Sequence, residues 1–414
     1  MDSIRKQLRL CAEGSPQVSR YADLARLQQQ AGQGEAALQT YLVATLLQAA
    51  ILSPSDEANW LQLGLAFHRA GDAERTAAAF RAALAVRPAM AEACNNLGGI
   101  EAGEDAVNLL RRAVRLAPNN ADYHVNLAHA LLGAGEWREG FREWEWRALS
   151  PPRHFKEPRW RGEELPGATL LVHAEQGYGD AILFARYLSA AAAKVGRVVV
   201  ETRPPLAGLL SRVAGVAEIV PWGAPLPPFD MQIPLPSLAA WLPLPAWQGP
   251  YVAADPDKIA LWRQKTGKVG ERRRVGLVWS VNPKGHDQRR AMTFAEIAAF
   301  AERHPHCQFF GLQRELPQTG SIAVPQLGSH IEDFDDLAAA ILSMDLLVSV
   351  DTAAAHLAGA LGKKVMVLLH RSADWRWWGP EPGRSLWYPS ARLYRQAEAG
   401  DWAEVLQRVS QDLR

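Results

Sequence analysis

The chain has 414 residues, 48% of them apolar and 21% charged, and a formal net charge of +1. That length predicts about two or three domains, and the composition is that of an ordinary globular protein. The near-zero charge excludes a nucleic-acid binder driven by a broad basic field. Its dense basic run, Arg272–Arg274, reads as a solvated strand entrance. Cys11, Cys94 and Cys307 are far apart and form no CxxC pair, so neither a zinc site nor a disulfide framework is expected. Met1 to Gly14 has no apolar core of signal-peptide length, and the apolar stretches read as interrupted by Gly, Pro or charge before they reach a membrane span. These readings point to the cytoplasm.

The first third repeats. Trp60, Leu63 and Phe67 share one helix face, and Gly64 lets a second helix approach. Gly71-Asp72 breaks the chain, Phe80, Ala83 and Leu84 line the second helix, and Pro88 ends the unit. This is the spacing of a tetratricopeptide repeat. Leu97-Gly98, Ala113 and Pro118 mark a second, shortened unit. Leu127, Leu131, Gly135, Trp137, Phe141 and Trp144 mark a third, and a degenerate unit runs from about Val18 to Pro54. Stacked units form a groove that can hold an extended peptide, or they serve only as packing support. Such arrays often self-associate, which adds a homo-oligomer to the expected partners.

A Pro-, Arg- and Trp-rich stretch between Leu149 and Pro166 marks a boundary. Beyond it, strands and helices alternate, which implies parallel sheets. Ala168–Ala174, Arg197–Glu201 and Ala217–Val220 read as strands, with a further short one near Asp230–Ile233. Helices are expected at Asp180–Lys194 and Pro204–Val213. A second alternating half follows a proline-dense linker. Its strands are Val275–Ser280, Gln308–Leu312, Leu346–Val350 and Lys364–Leu369, and its helices Thr293–Arg303, Asp335–Ser343 and Thr352–Leu361. The expected domains are 1–155 (helical repeats), 156–265 (first Rossmann-like lobe) and 266–414 (second lobe).

The segment from Val348 to Gly362 carries the most chemistry. A strand ends at Asp351 and a helix starts at once, so free N–H groups and the positive end of the helix dipole meet an anion there. Ala353 is small, Thr352 can donate a hydroxyl, and His356 lies about one turn in. The alternative is an N-cap at Asp351 or Thr352 with a buried histidine.

The Asp-Thr-Ala-x-x-His-Leu-Ala-x-Ala-Leu-Gly pattern at Asp351–Gly362 resembles the nucleotide-sugar site of heptosyltransferase-like enzymes, glycosyltransferase family 9. The loop Gly177-Tyr178-Gly179-Asp180 resembles the first loop of that family. With Val275–Asn282 and Asp374–Trp377, the match resembles bacterial tetratricopeptide proteins carrying a GT-B glycosyltransferase-like domain. The resemblance implies a helical array followed by a two-lobed GT-B fold, here with a short first lobe, and transfer of a sugar from a nucleotide-sugar donor. The transfer would be inverting and would use no metal or other cofactor. The acceptor could be a protein segment held by the array.

Residue by residue, the resemblance implies Asp180 as general base, with Glu175 a second candidate and helix capping the alternative role for Asp180. Gly177 and Gly179 belong to the same loop. Lys284 matches a lysine near the donor phosphates, beside Ser280 and Asn282, and Gln313 lies where the cleft is expected. Trp375 could stack on a base or sugar, and Arg376 could pair with a phosphate. The alternative for the Trp-rich segment is an aromatic plug under the C-terminal helix. Two rivals remain: an inactive repeat scaffold with a vestigial GT-B domain, and a nicotinamide oxidoreductase that uses Gly177-x-Gly179 and Glu201. No Gly-x-Ser-x-Gly elbow supports a hydrolase.

Overall fold

The computed structural model describes residues 18–149, 153–281, 288–314, 324–373, 375–379 and 381–413. Asn282, Lys284, Asp374 and Cys11 lie outside the described residues. The chain divides after Arg147 into two compact units.

In the first unit the described residues form antiparallel helix pairs: Val18–Gln30 with Gly34–Leu52, Glu57–Arg69 with Ala73–Val86, Ala91–Gly98 with Gly103–Leu116, and Ala121–Gly133 with Trp137–Glu143. The helices start on side-chain caps where the sequence provides them: Asp56 accepts from Ala58 N, Asp72 from Arg75 N, and Asn120 from Asp122 N. Gly71 at φ 75° and Gly135 at φ 83° make turns that L side chains rarely adopt. Gly64 has a different task. A Cβ there would lie 2.5 Å from the Phe80 ring, so only glycine lets the paired helices close. Gly64→Ala is therefore expected to destabilise the array by about 1–3 kcal/mol, seen as an earlier thermal transition of the helical signal; an unchanged transition would contradict this packing.

The helix Gly34–Leu52 corrects one expectation. After Glu35 neither charge, Gly nor Pro interrupts it, and its 19 residues are long and apolar enough to cross a membrane. Here Val43, Leu47 and Ala50 are buried with Leu63, Ala66 and Phe67 of the next pair.

The second unit holds two parallel sheets. The first comprises β1 (Leu165–His173), β2 (Val195–Thr202), β3 (Glu218–Pro221) and β4 (Met231–Pro234), in the order β3-β2-β1-β4. The second comprises β5 (Arg273–Val278), β6 (Cys307–Gly311), β7 (Leu346–Val350), β8 (Val365–Leu369) and β9 (Ala391–Arg395), in the order β6-β5-β7-β8-β9. β7 and β8 are near-continuous apolar runs buried along their length, as strands covered on both faces must be, and β1 is buried from Leu170 onward. In each sheet the strand order reverses beside the first strand, between β1 and β4 and between β5 and β7. Crevices open at such reversals, beyond the carboxyl ends of the strands.

Some elements differ from expectation. The helix expected over Asp180–Lys194 is broken into Tyr178–Phe184 and Leu188–Ala192 by a 3-10 turn at Ala185–Tyr187, and only Ala207–Leu210 is α-helical in Pro204–Val213. Strand β9 and the helix Pro256–Thr266 were not anticipated. That helix packs on Phe334–Leu342, where Lys258 pairs with Asp333 and Asp336 and Trp262 donates to Asp336. Cys94 and Cys307 are buried free thiols.

Candidate active site at the strand-order reversals

The loop after β1 and the helix after β7 meet. Gln176 is held at φ 61°, the one non-glycine residue with positive φ among those described. A strained backbone of this kind persists only where its surroundings fix it. The strain turns the chain so that Gly177 can start the helix Tyr178–Phe184. Asp180, at the third position, accepts from Gly177 N at 3.1 Å. Its other oxygen accepts from Arg376 Nε at 2.7 Å, which joins the first lobe to the second. Both side chains are mostly buried, 14% and 17% exposed, so the pair is only weakly screened. Asp180 thus caps its helix and is ion-paired as well. Glu175, two residues past the end of β1, is buried.

Gly179 is a glycine for packing. A Cβ there would lie 2.8 Å from His356 Cδ2, 3.5 Å from His356 Nε2 and 3.6 Å from Ala353 Cα. The first loop therefore lies against the opening turn of the helix Ala353–Ala360. His356 is buried, stacked on Trp377 with ring centroids 4.5 Å apart, and its Nδ1 is 3.0 Å from the Tyr388 hydroxyl.

The helix start has no side-chain cap. Thr352 sits at the N-cap position, but its hydroxyl is 3.0 Å from Ser349 Oγ instead. Ala355 N and His356 N bond to Thr352 O, and among the described residues Ala353 N and Ala354 N donate to nothing. Two N–H groups at the positive end of a helix thus point past the carboxyl end of β7, at the reversal between β5 and β7. Arg290 reaches the same end, with Nη1 3.4 Å from both the carbonyl and Oδ2 of Asp351. On the far side of the crevice Ser280 N donates to Gln313 Oε1 at 3.1 Å, joining the ends of β5 and β6.

The predicted residues thus fall into a set around the helix start (Gly177, Gly179, Asp180, Asp351, Thr352, Ala353, His356, Arg376) and a pair across the reversal (Ser280, Gln313). Trp375 is placed differently from a base-stacking residue. It is 3% exposed, packed on Phe184 and Trp387, with Arg376 over its ring. Glu201, the ribose-binding position of the nicotinamide alternative, is bound by Arg153. Sequence reasoning missed Arg290, Arg186 and the role of Tyr388. Arg186 carried a signal, a charge inside the apolar run Ile182–Leu188.

The first unit has its own concave feature, a cavity of about 630 Å³ lined by Asn95, Asn96, Asn126 and His129 among others. Asn126 Nδ2 donates to Asn95 Oδ1 at 2.9 Å, so side-chain amides of successive repeats are linked along it.

No family model matches the chain. Among curated proteins it is similar to protein FlbA of Caulobacter vibrioides, 27% identical over 89% of this chain and 69% of FlbA. Among solved structures it is similar to E. coli ADP-heptose lps heptosyltransferase II, with 14% identity and TM-score 0.43 over 59% of this chain and 98% of that one. A glycosyltransferase family 9 structure from Veillonella parvula gives 12% and 0.43 over 61% and 92%. The protein MamA gives 17% and 0.25 over 34% and 83%. The strand orders, the two lobes and the paired helices make this chain a tetratricopeptide-type helical array followed by a two-lobed α/β unit of the GT-B type, with a four-stranded first lobe.

Proposed function

We propose that the second unit is a glycosyltransferase domain that binds a nucleotide-activated sugar at the start of the helix Ala353–Ala360 and transfers the sugar to an acceptor hydroxyl. The observation that carries this is the pair of undonated N–H groups at Ala353 and Ala354, set at a strand-order reversal, with the Gly179 loop against Ala353 and His356, and with Arg376 bound to Asp180 of that loop. A departing nucleoside diphosphate carries its charge on phosphate oxygens. Helix-end N–H groups and a guanidinium stabilise that charge as it develops, with no metal required in the scheme.

Asp180 is the base in this reading. An ion-paired carboxylate is a weak proton acceptor. A diphosphate drawn to the same helix end competes for Arg376 and releases the carboxylate to take the acceptor proton. The acceptor is a protein segment held by the repeat array, whose amide-lined cavity suits an extended backbone. A nucleotide-sugar donor accords with a cytoplasmic reaction. The resemblance of Asp351–Gly362 and Gly177–Asp180 to family 9 supports the same reading.

One observation favours the rival, an inactive scaffold: Asp180 is already engaged by Gly177 N and Arg376. Calorimetric titration of the full chain with ADP, UDP, GDP and CMP separates the two. Transfer predicts that one nucleotide binds, and that Thr352→Ala and His356→Ala each weaken it by about ten- to a hundredfold, the loss of one hydrogen bond to a charged group. Absence of binding by all four would leave the scaffold.

A further inference from the structure

The first lobe holds a buried cation that the donor site does not use. Arg186 is 9% exposed. Its Nε donates to Leu183 O at 3.0 Å, and its Nη2 donates to Trp387 O at 3.1 Å and to the Tyr251 hydroxyl at 3.2 Å. Among the described residues Nη1 makes no hydrogen bond of proper geometry, and no carboxylate pairs with the guanidinium. Tyr251 gives its own proton to Ile182 O at 3.0 Å. The Tyr388 hydroxyl is close by, but full burial pushes that phenol well above its usual value, so it supplies no negative charge. The rings of Tyr251, Trp387 and Tyr388, with centroids 5.0–5.2 Å from the guanidinium carbon, offset only part of the cost of burying a charge.

Arg186 also lines a cavity of about 420 Å³, within the size range of small-molecule sites. One wall comes from Ser189 and the turn at Val213, the other from Trp247, Gln248 and Tyr251 on the way to the second lobe. The second wall is held in place: Tyr251 N donates to Ala360 O at 3.2 Å, its hydroxyl is bonded to Ile182 O, and its ring meets Trp247 edge to face at 6.2 Å. Among the described residues that line the cavity there is no Asp, Glu, Lys or His, so Arg186 is its one full charge. None of the residues at the start of the helix Ala353–Ala360 lines it, which separates it from the donor site.

We propose that this cavity is a second binding site, for a small organic carboxylate whose charge pairs with Arg186 and whose apolar body lies against Trp247 and Val213. The planar fork of a guanidinium matches a carboxylate. A single cation neutralises a monoanion, whereas a phosphate dianion would keep a buried charge unpaired. The bound carboxylate is the counter-ion that the aromatic rings and carbonyls around Arg186 cannot provide. The site does not depend on the donor-site reading, and it stands or falls on its own ligand.

The test is a titration of the full chain, labelled with 15N-tryptophan, with sodium benzoate, with its neutral isostere benzamide and with inorganic phosphate. The reporter is the Trp247 indole signal, assigned through Trp247→Phe. Benzoate should shift that signal saturably, and benzamide and phosphate should each bind at least about tenfold more weakly, the loss of one charge-assisted contact. Arg186→Gln should weaken benzoate by about ten- to a hundredfold. Ser189→Phe, at an exposed position on the cavity wall, should fill the space and abolish binding, which keeps the test decisive if Arg186→Gln fails to fold. No saturable shift with benzoate would overturn the proposal, as would equal binding of benzamide or unchanged affinity in Ser189→Phe. Phosphate binding more tightly than benzoate would overturn the carboxylate assignment.

Discussion

Asp180→Asn is expected to slow sugar transfer by about 10²–10⁴-fold, the usual contribution of a general base, while nucleotide affinity is retained or rises, because the diphosphate no longer competes with a carboxylate for Arg376. The substitution keeps the shape of the side chain and an acceptor oxygen for Gly177 N, so the helix Tyr178–Phe184 keeps its start. It removes the charge opposite Arg376. Because that pair is mostly buried, the variant should also lose about 1–3 kcal/mol of stability, which a urea titration of the full chain would read. The two effects are separable: the loss of rate is measured on the folded fraction at saturating donor. A variant that transfers at the wild-type rate would leave Asp180 a capping and lobe-joining residue, and would turn attention to Glu175.

Gly359→Ala is the second large effect. This glycine faces the Tyr388 ring, and a Cβ would lie 2.3 Å from Cγ and 2.5 Å from Cδ1. Tyr388 is fully buried and Ala360 beside the glycine is too, so neither the ring nor the helix can give way without moving the core. Overpacking of this kind costs about 1–3 kcal/mol and occasionally more, and the upper end is expected here. The variant should also weaken nucleotide binding, because moving Tyr388 moves the partner of His356 Nδ1. Gly34→Ala, with nothing within 4 Å of its Cβ, is the control and should leave stability unchanged or slightly higher. Equal melting of Gly359→Ala and wild type would contradict the packing described.

What could be read from the sequence follows from range. The array was legible because its signals recur locally: Gly64 against Phe80 and Gly98 against Leu110 are the same contact in successive units. Strands buried on both faces, such as β7, announce themselves as apolar runs. Strand β9 did not, since Ala391–Arg395 is an edge strand with an exposed Arg392 paired to Asp412. The helix Pro256–Thr266 was hidden in a proline-dense stretch, although Asp255 and Pro256 are a sound cap and first residue. In the site, the helix start at Thr352 was visible as a strand running straight into a helix. Its partners were not. Tyr388 is 32 residues from His356, Arg376 is 196 from Asp180 and Arg290 is 61 from Asp351. Only the fold brings them together. The capping alternative for Thr352 also illustrates the limit, because the hydroxyl turned to Ser349 rather than to its own helix.

Hydrogen exchange at the start of the helix Ala353–Ala360 tests the central claim most directly. Ala353 N and Ala354 N have no acceptor among the described residues, whereas Ala355 N and His356 N bond to Thr352 O. The first two amides should therefore exchange rapidly in the free protein. Adding the nucleoside diphosphate that binds should slow them by an order of magnitude or more, with slowing also at Gly177–Asp180 as the first loop closes on the same ligand. Protection confined to another part of the chain, with these amides unchanged, would contradict a donor site at this helix.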